Sequence, residues 1–276
     1  MKIDLDFLKE LAKEAYDSVH GLIGTTGSGK ELQRGAGGDI SMQIDMIAEK
    51  RILNLIERSG LNLKVISEEI GEIYIGNVNE ARKNNDILII DPVDGSNNAV
   101  RGIPYCAVSI AHAIGKSIDD IKEGVVLDLI NKDLYWAIKN NGSFHNSKEL
   151  HVSNLDFSNN CFLELNLPKK NLLEYLKKIT PLLRKFYRIR VQGCTSLTLC
   201  QIAKGTMDAF INLRKTNRIV DSAAGILILK EAGGRILSLK GTPIEGQLSI
   251  NLRFPFIASN ELLSEQIIKE LQEIQL

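Results

Sequence analysis

Apolar residues recur at a helical interval from the start of the chain. Leu5, Leu8, Leu11, Ala12, Ala15 and Val19 follow Asp4, an acid suited to cap a helix, and predict an amphipathic helix to about His20. Gly21 to Gly38 is too rich in glycine to hold a helix and reads as a mobile loop. Ile44, Ile47, Ala48, Ile52, Leu55 and Ile56 predict a second helix ending near Gly60. The period then changes. Leu63–Ile66 and Ile87–Ile90 are short apolar runs ending in acidic residues, as buried strands with functional tips would be. Tyr105–Ala113, Gly124–Leu129 and Leu134–Ile138 extend them into a sheet, and the polar stretch after Asn140 suggests a boundary near residue 150. Beyond it, strands near Cys161–Leu165, Tyr187–Val191, Met207–Asn212 and Pro255–Ala258 alternate with helices at Asn171 to about Lys185, Ser196–Lys204, Asp221–Ala232 and from Glu261. Two α/β units sharing one cleft are expected: residues 1–150 as an N-terminal α+β domain and 151–276 as a C-terminal α/β domain.

Composition narrows the class. The 276 residues carry 34 Lys+Arg and 34 Asp+Glu, so no global basic field draws in nucleic acid or an anionic membrane surface. Four cysteines (Cys106, Cys161, Cys194, Cys200) lie far apart without a C-x-x-C, and no histidine pair has zinc-ligand spacing, so reduced, buried thiols are expected. The acidic N-terminus is unlike a signal peptide, and no apolar run approaches the ~18 residues of a membrane span. A cytoplasmic protein is expected.

The chemistry gathers around three acidic elements. Ser67-Glu68-Glu69 ends one strand, Asp91-Pro92-Val93-Asp94-Gly95-Ser96 ends the next, and Asp221-Ser222-Ala223-Ala224-Gly225 opens a helix. Pro92 offers no N–H and is expected to stop strand pairing; Asp94 and Gly95 then turn the chain and draw the carboxylates of Asp91 and Asp94 together. Two carboxylates ~4 Å apart repel by roughly 4 kcal/mol at an effective dielectric near 20, so three or four need protons or a cation. Ligation by oxygen alone selects a hard ion, Mg²⁺ before Ca²⁺ or Mn²⁺.

These elements, in this order, resemble the inositol monophosphatase superfamily of lithium-sensitive phosphatases. The similarity runs through Asp133-Leu134-Tyr135, Leu150-His151-Val152-Ser153, Gly193 to Leu197, Ala203 to Phe210 and Glu231-Ala232-Gly233-Gly234. The resemblance implies a five-layer αβαβα sandwich of the inositol monophosphatase and fructose-1,6-bisphosphatase type, usually a homodimer, hydrolysing small phosphate esters with two or three Mg²⁺. Mn²⁺ would substitute and Li⁺ would inhibit. It implies that Glu68, Asp91 and the Val93 carbonyl hold a first metal and that Asp91, Asp94 and Asp221 hold a second. Glu68 would also touch a third, weaker ion. Ser96 and Asp45 would form the hydroxyl–carboxylate pair that supports the attacking water, Ser96 replacing the commoner Thr. A short helix opening after Asp94 would let the Gly95 and Ser96 amides cradle phosphate.

Gly24 to Glu31 reads almost as a P-loop, but Glu31 stands where the magnesium-binding hydroxyl belongs and a helix precedes it, which excludes that motif. Arg34, five residues before Asp39, sits where the resembled family often has a lysine and is a candidate phosphate ligand. Leaving-group recognition in the family follows the Gly193-Cys194-Thr195 turn and an acid after D-A-[FY]. Here Asn212 stands near that acid's place. Asn212 to Arg218 looks instead like archaeal members that accept inositol phosphates and fructose 1,6-bisphosphate, with Arg214 and Arg218 either binding a second phosphate or forming a solvated basic loop. Inositol-1-phosphate and possible fructose 1,6-bisphosphate hydrolysis is the leading expectation. A 3′-phosphonucleotide phosphatase and a regulatory homologue without turnover are the alternatives.

Overall fold

The computed structural model describes residues 2–25, 29, 31–34, 36 and 40–274, without the side chains of residues 31–34, 40 and 41. Helix α1 (Leu5–Val19) begins where the Asp4 carboxylate accepts the Phe7 amide at 3.0 Å. A hairpin of β1 (Glu31–Arg34) and β2 (Ile40–Met42) leads into α2 (Gln43–Arg58). There follow β3 (Leu63–Ser67), β4 (Gly71–Ile75), α3 (Val78–Asn84), β5 (Asp86–Asp94) and α4 (Ser96–Arg101). Strands β6 (Ala107–Ile114), β7 (Ile121–Asp128), β8 (Leu134–Ile138), β9 (Ser143–His145) and β10 (Lys148–Glu149) complete an eight-stranded sheet ordered β10-β9-β8-β7-β6-β5-β3-β4. Every pairing in it is antiparallel except β3 beside β5.

The rest of the chain is β11 (Phe162–Asn166), α5 (Leu172–Leu183), β12 (Arg188–Arg190), α6 (Thr195–Ala203), β13 (Ala209–Asn212), α7 (Ile219–Glu231), β14 (Arg235–Leu237), β15 (Phe256–Ser259) and α8 (Glu261–Glu273). Its strands form a second sheet, ordered β12-β11-β13-β15-β14.

Successive strand residues point to opposite faces, and β5 shows why its apolar run is unbroken. Leu88 and Ile90 enter the core shared with α1 and α2, whereas Ile87 and Ile89 enter the core shared with α6 and α7. The second core also takes Phe210 and Phe256 from the smaller sheet, so α6 and α7 form a middle layer buried by both sheets. Ile179 and Leu182 of α5 and Leu263 and Ile267 of α8 cover the far face of the smaller sheet with Leu163, Ile211 and Ile257. The layers run helix, sheet, helix, sheet, helix, as the resemblance implied. One core thus joins residues on either side of the boundary read near residue 150.

Two expectations need correction. The stretch read as a mobile loop contributes the described strand β1, while Thr26–Ser28, Lys30, Gly35 and residues 37–39 lie outside the described residues. Nor does Pro92 end strand pairing. Strand β5 continues to Asp94, with Asp91 opposite Ser109 and Asp94 opposite Ala107, so three steps on β5 face two on β6. The extra residue is a bulge that absorbs the missing proline N–H. Neither β4 nor α3 was evident in the apolar pattern, because their outward residues are largely polar and exposed.

The middle layer packs closely because its residues are small. A Cβ on Gly225 of α7 would stand 2.7 Å from Leu199 Cδ1 and 2.8 Å from Leu199 Cβ on α6; one on Gly124 of β7 would stand 3.1 Å from the Ala224 backbone. Gly225→Leu is therefore expected to cost about 1–3 kcal/mol by overpacking. A fall in the urea midpoint at unchanged slope is the expected result, and an unshifted midpoint would contradict this packing account.

Candidate functional site

The acidic elements meet because three chain segments end at one place. Ser67 pairs with Ile90 across the parallel β3–β5 ladder, so Glu68 emerges beside Asp91. On a regular strand Asp91 and Asp94, three residues apart, would project from opposite faces; the bulge between them restores a common side. Asp221 sits in the first turn of α7 and its Oδ2 accepts the Arg218 amide at 3.4 Å. One carboxylate oxygen from each of Glu68, Asp91 and Asp221 then lies within 4.8 Å of the others.

Gly95 makes the turn possible. Its φ is +85°, and a Cβ there would stand 2.9 Å from the Tyr105 carbonyl oxygen and 3.3 Å from Cys194 Cβ. The Gly95 and Ser96 amides precede the first internal bond of α4, Asn98 N to Gly95 O at 2.8 Å. The Val93 amide donates to Asp91 Oδ1 at 3.1 Å. Asp91 Oδ2 is buried and has no hydrogen-bond partner among the described residues, and the same holds for Asp45 Oδ1.

The surroundings push protons onto these groups. Burial drives Asp91 well above the ordinary carboxylate range, and the neighbouring Glu68, Asp94 and Asp221 add to it. Burial raises Glu68 to about 7 against the opposing Arg218, with Asp221 and Glu69 adding to the rise. Asp94 is raised to about 6, first by burial and then by Asp221. Asp45 is raised well above its usual value by burial, then by Glu68 and Glu69. Uncompensated oxygens in a buried, all-carboxylate set fit a hard divalent cation.

Other predicted residues are placed as follows. Ser96 is half-buried at the start of α4 and is not hydrogen-bonded to Asp45, whose Oδ2 accepts the Met42 amide at 3.0 Å. Asp94 Oδ2 accepts the Ser196 amide at 2.6 Å and the Cys194 thiol at 3.2 Å, so of the turn of Gly193, Cys194 and Thr195 at the head of α6 it is Cys194 that reaches Asp94. Burial and Asp94 keep the Cys194 thiol protonated. Asn212 is buried and spent on its own loop, donating to Asn217 Oδ1 at 3.0 Å and accepting the Arg214 amide at 3.1 Å; Arg214 is exposed. Arg218 turns toward the carboxylates: its Nη1 donates to Glu68 Oε1, and its Nε to Asp221 Oδ1 at 2.9 Å. The backbone of Arg34 lies in β1, and its side chain lies outside the described residues.

Sequence reasoning missed Glu49 and the Ser196 amide. Glu49 lies on the buried face of α2, four residues after Asp45. Its Oε1 accepts the Ser67 hydroxyl at 2.5 Å and the Ile70 amide at 3.1 Å, fixing the turn that carries Glu68. An acid interrupting the apolar stripe of Ala48, Ile52 and Ile56 was the available signal. A main-chain donor such as Ser196 N–H leaves none.

A sequence model of the inositol monophosphatase family matches residues 4–276. A fructose-1,6-bisphosphatase/inositol-1-monophosphatase of Methanothermobacter thermautotrophicus is 32% identical over 276 residues, covering 96% of this chain and 95% of the relative. A bifunctional NADP phosphatase/NAD kinase of Methanococcus maripaludis is 34% identical over 281 residues; the match takes in 96% of this chain and 48% of that longer protein. The crystal structure of an inositol monophosphatase–fructose 1,6-bisphosphatase superimposes with a TM-score of 0.83 at 29% identity, covering 98% of this chain and 100% of that one. Among the described residues no helix is long and apolar enough to cross a membrane.

The raised carboxyls set the sign of a pH effect. A carboxyl whose folded value exceeds its unfolded one stabilises the fold below the unfolded value, and that contribution is lost as pH rises through the folded one. With a chelator present, stability is expected to fall from pH 4.5 toward about 7 as Glu68 ionises. A divalent cation should flatten or reverse that trend. Thermal melts across this range with EDTA and with excess cation test it, and parallel pH profiles would contradict it.

Proposed function

This chain belongs to the inositol monophosphatase family and is a phosphoric monoester hydrolase, and from that premise we propose that it uses Mg²⁺ to hydrolyse inositol-1-phosphate and fructose 1,6-bisphosphate. The observation that carries the metal assignment is the buried, unpartnered Asp91 oxygen within a set of three carboxylates whose ligand atoms lie within 4.8 Å.

In this reading Glu68, Asp91 and the Val93 carbonyl hold one ion, Asp91, Asp94 and Asp221 a second, and Glu68 also borders a weaker third. Bound ions would activate water, neutralise the phosphoryl oxygens and stabilise the departing alkoxide. The chain's own groups position and move protons. The Gly95 and Ser96 amides at the head of α4 receive phosphate oxygens, assisted by Arg34. Ser96 and Asp45, which make no direct hydrogen bond to each other, would relay a proton from the attacking water through a bridging water, and the raised affinity of Asp45 for protons supports its role as acceptor. Water oxygen bonds to phosphorus as the ester oxygen leaves, and a proton passes to that oxygen, giving inorganic phosphate and the free alcohol. The Ser196 amide and Cys194 thiol keep one Asp94 oxygen pointed away from solvent, which supports a fixed orientation for the other.

A second reading, hydrolysis of a phosphate carried on a nucleotide ribose, is favoured by the relative named for NADP phosphatase activity. The test is phosphate release with Mg²⁺, with and without Li⁺, from inositol-1-phosphate, fructose 1,6-bisphosphate, NADP and a 3′-phosphonucleotide. Turnover of the first two is expected, with inhibition by Li⁺; selective turnover of either nucleotide would replace the substrate assignment. Asp91→Asn should lower kcat/KM by roughly a hundredfold or more. Activity surviving that change intact would remove the metal assignment, and no release from any ester would leave a homologue without turnover.

A further inference from the structure

Arg218 has no part in the proton and phosphate steps above, yet it is built into the acidic cluster. Its guanidinium joins Glu68 and Asp221, two of the three residues whose ligand oxygens converge. All three side chains are about nine-tenths buried, with 12% of each exposed, so solvent screens the pairing little.

The backbone around Arg218 keeps it there. Its carbonyl accepts the Ser222 hydroxyl at 3.0 Å, one turn into α7. The preceding Asn217 is buried, takes a hydrogen bond from Asn212 at 3.0 Å, and accepts the Phe254 amide on its carbonyl at 3.2 Å. Arg218 also bridges Arg253 through the backbone. The Asn212–Asn217 loop thus works as a mount that delivers a cation to the carboxylates, while Arg214 on the same loop stays exposed.

We propose that Arg218 is an internal competitor for the metal centre: its guanidinium and a divalent ion contend for the Glu68 and Asp221 oxygens, and Arg218 thereby sets the cation concentration at which the centre loads. The physical reason is twofold. Charge-assisted hydrogen bonds from Nη1 and Nε occupy carboxylate lone pairs that inner-sphere ligation requires. A fixed positive charge beside the ion also repels it in a poorly screened site. Arg218 compensates the carboxylates when they are unloaded, and metal binding exchanges one compensation for the other. The proposal rests on Glu68 and Asp221 being metal ligands.

Mn²⁺ titrations of the full chain at pH 8, followed by electron paramagnetic resonance of the free ion, test it without substrate. Arg218→Gln should bind Mn²⁺ roughly tenfold more tightly than wild type, with Arg218→Lys between them because a point charge cannot fork across two carboxylates. Melts provide the second readout. Arg218→Gln should lower Tm in EDTA and match wild type in saturating Mn²⁺, whereas a merely structural loss would lower both. Mn²⁺ affinity equal to or weaker than wild type in Arg218→Gln would overturn the proposal. Asp91→Asn in the same titration separates the premise from the inference: wild-type affinity there would remove the metal centre itself, whatever Arg218 does.

Discussion

Mutual repulsion among Glu68, Asp91, Asp94 and Asp221 is the condition to which the local architecture answers. Carboxylates gathered this closely would separate if their backbones could move. They cannot, because each stands at the end of an element buried on at least one face. Glu68 directly follows β3, Asp91 stands at the bulge near the end of the adjacent β5, and Asp221 begins a helix buried between two sheets. Asp94 is pinned by the amide at the head of α6, where the positive end of a helix meets a negative group. Glu49 holds the turn behind Glu68 from below. The raised proton affinities of Glu68, Asp91 and Asp94 record what confinement costs.

That arrangement also accounts for the small residues that follow Asp221. Ser222, Ala223, Ala224 and Gly225 let α7 approach β7 and α6 closely enough for Asp221 to reach the ends of β3 and β5. A bulkier face would lift the helix, and with it one wall of the cluster. Packing density in the middle layer and ligand geometry at its edge are thus one property seen at two places.

Much of this was legible in the chain. The α1 stripe, the unbroken run of β5 and the three acidic elements carry strong patterns, because periodicity and charge at strand ends leave marks in single residues. Reading failed where the decisive atom belongs to the backbone or where direction mattered. Pro92 looks like a terminator until β6 shows a bulge that carries the strand past it. Nothing in the chain signals that the Ser196 amide and the Cys194 thiol face Asp94. Arg218 is as plausible beside phosphate as beside carboxylate when only its charge is known. The buried Asn212–Asn217 pair fixes the course of the loop that brings Arg218 to the carboxylates.

The position of the cluster across the layers has one more consequence. Arg218 and Glu68 are 150 residues apart in sequence, and Asp221 comes from the same distant segment as Arg218. Any cation held jointly by Glu68 and Asp221 therefore closes a loop spanning more than half the chain, much as a crosslink would. Unlike a covalent crosslink, such an ion is released when the chain unfolds, so it stabilises by mass action on the folded state and not by restricting the unfolded one. A reversible ionic staple of this kind makes the chain's persistence in the folded state follow the cation supply of its surroundings.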